Sequence, residues 1–163
     1  MIALTAIAGS GIGAAFAAAP PTAGLTETEK IAVFKAAGAA QSNGKWVICK
    51  DDPNPSGASI ESIVDRNGDG LPEVVVVEGG SACYGKAEAG YKVLSKQLDG
   101  TWKVVTSNNG IPQFLKTTGA NGWPDISVGG PGFCFAVQRW NGKEYAFDRY
   151  EYEGKSCKPK PQS

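Results

Sequence analysis

Three stretches of the chain, SNGKWVIC from Ser42, LDGTWKVV from Leu98 and WNGKEYAF from Trp140, carry the same instruction: an Asn-Gly or Asp-Gly pair followed closely by an aromatic residue. Such a pair favours a two-residue hairpin turn, because both central residues must take positive φ and Asn, Asp and Gly accept that conformation at least cost. Three hairpins commit the chain to antiparallel pairing. The runs between turn signals predict strands at Lys45–Lys50, Ser59–Asp65, Glu73–Glu78, Tyr91–Gln97, Thr101–Thr106, Asp125–Val128, Phe133–Trp140 and Tyr145–Glu153. The last of these alternates only loosely, and its charges suit an edge strand, where they discourage further pairing.

One helix precedes the strands. In PPTAGLTETEKIAVFKAAGAA, Thr26 and Glu29 stand three apart as a capping box, and Ile31, Val33, Phe34 and Ala37 recur at roughly helical spacing. This predicts a helix from Thr26 to Ala37, ended by Gly38, that lays Ile31 and Phe34 against a sheet. With 163 residues, 42% of them hydrophobic, the chain suits one domain with a real core. The fold class is α+β: mainly antiparallel sheet built from hairpins, with one N-terminal helix. GLPEVVVVEGGSAC from Gly70 and GWPDISVGGPGFC from Gly122 also align as Gly, apolar, Pro, acid, apolar, any, Val, with Gly-Gly and a cysteine beyond. The match reads either as an internal duplication, giving two related sheet units, or as convergent turn chemistry. Two copies are too few to close a propeller.

The first 24 residues, MIALTAIAGSGIGAAFAAAPPTAG, contain no charge. They read as the apolar part of a signal peptide over residues 1–19, cleaved after Ala17 or Ala19, ahead of a single disulfide-braced domain over residues 20–163. The alternative is a retained anchor, in which Gly9 and Gly13 form a GxxxG pair. Export agrees with the cysteines. Cys49, Cys83, Cys134 and Cys157 are even in number and form no CxxC or other metal-type spacing, so two disulfides in an oxidising compartment are expected. Pairing Cys49 with Cys83 and Cys134 with Cys157 closes the shortest loops. The expected location is periplasmic or secreted, with no membrane span in the mature form. Sixteen basic against sixteen acidic residues leave no positive excess for a phosphate backbone, which argues against a nucleic-acid partner.

The stretch DRNGDGLPE, Asp65 to Glu73, holds the densest set of oxygen donors. Asp65, Asn67 and Asp69 alternate, Leu71 offers its carbonyl, and Glu73 stands at position nine. Oxygens at alternating positions of a tight loop suit Ca²⁺, which takes six to eight of them. Position twelve is Val76 and the flanks read as strands, so this is not an EF-hand. The same residues are equally those of a strong turn, with Asp side chains bonding local amides. The stretch resembles the DxDxDGxxD calcium loop of FG-GAP and integrin-like repeats, with Asn67 at position three and Glu73 at position nine. That resemblance covers Asp65 to about Val77 and implies Asp65, Asn67, Asp69, Leu71 and Glu73 as ligands of a structural Ca²⁺. The wider order of helix, DxNGDGxPE loop, Gly-Trp-Pro-Asp segment and final aromatic hairpin is similar to small exported bacterial proteins of unassigned role.

No histidine is present, which removes the commonest general base and any triad or zinc site built on it. No catalytic residue is assigned. The expected function is a non-enzymatic binding or inhibitor-type module with a protein or cell-envelope partner. The alternative is a hydrolase acting on a cell-envelope glycan through carboxylates drawn from Glu73, Glu78 and Asp125. SNNGIPQFLKTTGANGWPD, from Ser107 to Asp125, reads as a long irregular loop. Its Phe114, Leu115 and Trp123 are either a partner-binding surface or plugs for the core beneath. Trp46, Trp102 and Trp140, beside the turns, read as packing residues.

Overall fold

Four consecutive valines, Val74 to Val77, are explained by where the fold puts them: the strand that carries them is covered on both faces. The computed structural model describes residues 24–130 and 132–159, so the leader expected over residues 1–19, its cleavage site and its reading as an anchor lie outside the described residues. In chain order the elements are α1 (Glu27–Ala36), β1 (Ala40–Ser42), β2 (Lys45–Val47), β3 (Ser59–Val64), β4 (Glu73–Gly79), α2 (Ser81–Tyr84), β5 (Ala89–Lys96), β6 (Trp102–Asn109), β7 (Ile111–Thr118), β8 (Pro124–Gly129), β9 (Phe135–Trp140), β10 (Tyr145–Tyr152) and β11 (Lys155–Ser156). Strands β3 to β6 form one antiparallel meander, β7 to β11 a second, and β1 with β2 a small hairpin.

One face of the first sheet, with Val74, Val76, Leu94 and Trp102, packs under Val33, Phe34 and Ala37 of the α1 region. The opposite face, with Val75, Tyr91 and Val93, meets Ile126 of the second sheet, and Phe114, Val128 and Tyr145 pack around that contact. Period-2 alternation sends successive valines of β4 into different cores. A strand sandwiched in this way reads as a continuous apolar run rather than an alternating one.

The capping box forms as expected. Thr26 Oγ1 accepts from the Glu29 amide at 3.2 Å, and Glu29 Oε2 accepts from the Thr26 amide at 2.9 Å. The buried residues of the helix are Val33 and Phe34, whereas Ile31 is 42% exposed. Ile31 therefore does not lie against the sheet; Val33, two residues on and across the helix, takes that position. Phe34 stacks on Trp46 with ring centroids 5.3 Å apart, so the β1–β2 hairpin continues the layer that the helix begins.

Other expectations are corrected. Among the described residues there are two α-helices, not one: α2 is a single turn holding Cys83. The irregular loop expected from Ser107 to Asp125 is the end of β6, all of β7 and a short 3-10 turn at Ala120–Gly122. Pro112 and the mixed polarity of IPQFLKTT mask a strand that is half-covered, with Phe114 inward. Of the three expected turns, only Asn43-Gly44 is a two-residue turn with both residues at positive φ, 48° and 76°, and Glu153-Gly154, between β10 and β11, makes a second such turn that the sequence reading did not name. At Asp99-Gly100 the glycine alone has positive φ, and at Asn141 the side-chain oxygen accepts amides from Lys143 and Glu144 to hold a longer loop. Strand β10 is flanked by β9 and, at its C-terminal end, by β11, so it is an edge only in part.

Cys49 is bonded to Cys83 and Cys134 to Cys157. Around the first bridge, Glu78 is 2% exposed and accepts from the Ile48 amide at 2.9 Å, the Cys49 amide at 2.7 Å and the Tyr84 hydroxyl at 2.6 Å. One buried carboxylate thus ties β4 to the segment after β2 and to α2. Among the described residues no helix is long and apolar enough to cross a membrane.

Glu78→Ala strands these three donors in the interior and is expected to lower unfolding stability by about 2–4 kcal/mol. Ile31→Ser, on the exposed side of α1, is expected to stay within about 0.5 kcal/mol of the parent. Urea unfolding of the two oxidised variants checks the difference, and equal effects would contradict this packing.

Candidate functional site

The loop between β3 and β4 is built from its own side chains. Asp65 Oδ1 accepts from the Gly68 amide at 2.8 Å and Oδ2 from the Gly70 amide at 2.9 Å. Asn67 Oδ1 accepts from the Asp69 amide at 3.0 Å, and Asp69 Oδ1 from the Leu71 amide at 2.8 Å. The Asn67 side-chain amide donates to Asp69 Oδ2 at 3.0 Å. These are the local carboxylate-to-amide bonds of a strong turn, and each oxygen retains a second lone pair.

Glu73 sits beneath this loop, fully buried. Its Oε2 accepts from the Arg66 amide at 2.8 Å, while its Oε1 has no hydrogen-bond partner among the described residues. Burial pushes the Glu73 carboxyl up to about 7; the hydrogen bond from the Arg66 amide and the nearby Ser95 hydroxyl pull it back only in part, and the charges of Asp69 and Asp65 raise it further. Among the described residues no three acidic, Cys or His side chains are gathered closely enough to hold a metal ion. The donor types of Asp65, Asn67, Asp69 and Glu73 suit a hard cation, and the orphaned Glu73 oxygen is the one donor of the set with nothing else to do.

Arg66, which the spacing did not single out, turns inward. Its guanidinium lies 3.6 Å from the centroid of Phe114 on β7 and donates to Ser62 Oγ at 2.6 Å. Burial lowers its pKa, and the Glu73 charge opposes that shift. A cation over an aromatic ring in a desolvated place is worth roughly 2 kcal/mol, and here it clips one sheet to the other. The only hint in sequence is an arginine inside an otherwise acidic turn.

Asp125 occupies the place in β8 that Glu73 occupies in β4, directly after a proline, and it too is fully buried. Its environment is the opposite. Thr117 Oγ1 donates to it at 2.6 Å, Arg139 through Nε at 3.0 Å and Nη2 at 2.8 Å, and Arg149 Nη1 at 2.9 Å. Burial acts to raise its pKa, but the bonds from Arg139, Thr117 and Arg149 together outweigh burial and hold it at about 2. The network continues from Arg149 to Asp148 and Glu151.

Of the three residues named for partner contact, Phe114 is half-buried under Arg66, and Trp123 is buried, with Trp140 at 5.3 Å and Tyr145 at 6.1 Å. Leu115 is half-buried on the other side of the strand, where it lines a shallow groove with Ser127 and Phe135. The three share no surface, because β7 points Phe114 and Leu115 to opposite sides. Trp102 is buried and Trp46 and Trp140 are half-buried.

One cavity opens to solvent at the loop end of the inter-sheet cleft. Its volume is about 240 Å³, and it is bounded by Asn67, Asp69 and Leu71 of the loop, Ser95 and Lys103 of the first sheet, and Trp123 and Trp140 of the second. The walls are docked together closely: a Cβ on Gly122, at φ +76°, would meet the Asn67 carbonyl oxygen at 2.8 Å. No family model, curated protein or solved structure matches this chain.

The linkage at Asp125 has a definite sign. Its folded pKa lies below the ordinary aspartate value of 3.8, so its contribution to stability is present above that value and is lost as pH falls through about 2. Asp125→Asn is expected to flatten the acid limb of the stability profile, and Asp125→Ala, which leaves two arginines facing a vacated site, to cost about 3–5 kcal/mol. Thermal unfolding between pH 2 and 5, run on parent and variants, reads both.

Proposed function

We propose that this protein is an exported, non-enzymatic binding module stabilised by Ca²⁺ in the Asp65–Glu73 loop. The observation that carries the first part is the commitment of the acids. In a chain without histidine, the carboxylates singled out for acid–base work on a glycan are Glu73, Glu78 and Asp125, and all three are buried at 2% exposure or less. Glu78 and Asp125 each hold several donors in place. A substrate does not reach a general acid enclosed in the interior, and a hydrolase would need these carboxylates at the wall of an open cleft. Two disulfides agree with an oxidising destination outside the cytoplasm.

The calcium reading is supported by the orphaned Glu73 Oε1. A buried carboxylate oxygen without a partner is costly, and a divalent cation taken up by Asp65, Asn67, Asp69, the Leu71 carbonyl and Glu73 would relieve both that cost and the mutual repulsion of the acids. Binding would draw the Asp65 and Asp69 side chains toward a common centre while they keep their amide partners on the remaining lone pairs. The same reading treats the two meanders as copies of one unit. In the first, Glu73 awaits a cation; in the second, Arg139 and Arg149 supply the positive charge to Asp125.

Calorimetric titration of Ca²⁺ into oxidised, EDTA-stripped protein is expected to give saturable binding and a raised melting temperature, the shift growing with free Ca²⁺. Asp65→Ala with Asp69→Ala should abolish both. No heat and no melting shift at millimolar Ca²⁺ would reduce the loop to a turn. Release of reducing ends from cell-envelope glycans by the parent protein, lost in Glu73→Gln, would establish the hydrolase instead.

A further inference from the structure

The cleft beside the loop combines surfaces that a globular protein seldom leaves together. Trp140 is half-buried at its wall, in contact with Trp123 at 5.3 Å, tilted by 35°, and with Tyr145 at 5.3 Å. Facing them are groups that between them donate and accept hydrogen bonds: the Asn67 amide and the Asp69 carboxylate, which are bonded to each other, the buried Ser95 hydroxyl, and the donor-only Lys103 ammonium. The Lys103 side chain is exposed and makes no hydrogen bond or ion pair among the described residues. At the rim stands Leu98, 96% exposed on the β5–β6 hairpin, where a turn ordinarily carries a polar residue.

An occupant must therefore offer an apolar face to an indole and a polar edge of mixed donors and acceptors to the opposite wall. A lipid tail offers no polar edge, and an amphipathic side chain such as tyrosine offers a single polar tip rather than a polar circumference. A pyranose ring offers both: polarised C–H bonds on one face, which rest on the electron-rich face of an aromatic ring, and hydroxyls around its circumference that donate and accept at once. At about 240 Å³ the cavity takes one such ring and its substituents, and is below the size of a drug-like pocket. The close seat of Gly122 against the Asn67 carbonyl fixes the distance between the walls, so the site is formed before a ligand arrives.

The geometry points to a saccharide-binding site in this cleft: one sugar ring of a glycan stacks on Trp140 with its hydroxyls directed at Asn67, Asp69, Ser95 and Lys103. The inference rests on the reading of the protein as a binding module and names the ligand class. Trp123, in contact with Trp140, is a positioning residue, and Leu98 covers the neighbouring ring of an oligosaccharide.

The test titrates oxidised full chain with tri-N-acetylglucosamine, maltotriose and trigalacturonate, reading indole fluorescence and amide NMR shifts, once in EDTA and once in millimolar Ca²⁺. At least one sugar is expected to bind saturably, with shifts confined to the residues lining the cleft. Trp140→Ala should weaken binding about tenfold or more. Lys103→Ala, an exposed position whose loss leaves the core intact, should weaken it severalfold without moving the melting temperature. Failure of all three sugars in both buffers, shifts elsewhere on the surface, or affinities untouched by both variants would each overturn the assignment. Sugar binding in EDTA without any Ca²⁺ heat would leave this site standing and remove the calcium reading. Ca²⁺ binding with no response to any sugar would do the reverse.

Discussion

Everything in the fold depends on β4 being buried from both sides. Its valines alternate between the core under α1 and the core shared with the second sheet, so neither layer is complete without it. With roughly 2 kcal/mol gained for each valine taken fully out of water, this one strand supplies much of the force that holds three layers together. The two acids at its ends follow from the same placement. Glu73 and Glu78 lie where the strand enters and leaves the interior, and each must find donors there: Glu78 finds three, while Glu73 finds the Arg66 amide and leaves one oxygen over.

The fold class was legible because hairpin chemistry is local. Asn-Gly and Asp-Gly pairs, a capping box and valine runs act over a few residues, and the strands they imply are close to those observed. What escaped was decided by tertiary cover. Strand β7 reads as a loop because its side chains meet a different neighbour on each side, so no period emerges from IPQFLKTT. Ile31 and Val33 stand two apart on a helix, and only the direction from which the sheet approaches decides which of them is buried.

The candidate sites divide in the same way. The oxygen-rich loop announces itself because its residues are consecutive. The cleft beside it does not, since Asn67, Ser95, Lys103, Trp123 and Trp140 come from separate elements and share no spacing. Arg66 and the buried Asp125 network were likewise invisible: nothing in an isolated Arg-Asn-Gly or Trp-Pro-Asp tells whether its charge faces water or a second sheet. The contrast between Glu73 and Asp125, matched in position but opposed in electrostatic surroundings, emerges only from the partners brought by β9 and β10.

Both disulfides close within their own half of the chain, spanning 34 and 23 residues, and none joins the first meander to the second. Every strand in the two sheets also pairs with its neighbour in sequence. A chain entering an oxidising compartment N-terminus first can therefore fold and oxidise the first meander before the second arrives, since short loops are the least costly to close and local pairing is the fastest to form. The second meander then has a finished surface to assemble on, and a wrong cysteine partner from the later half arrives after the earlier pair is already spent.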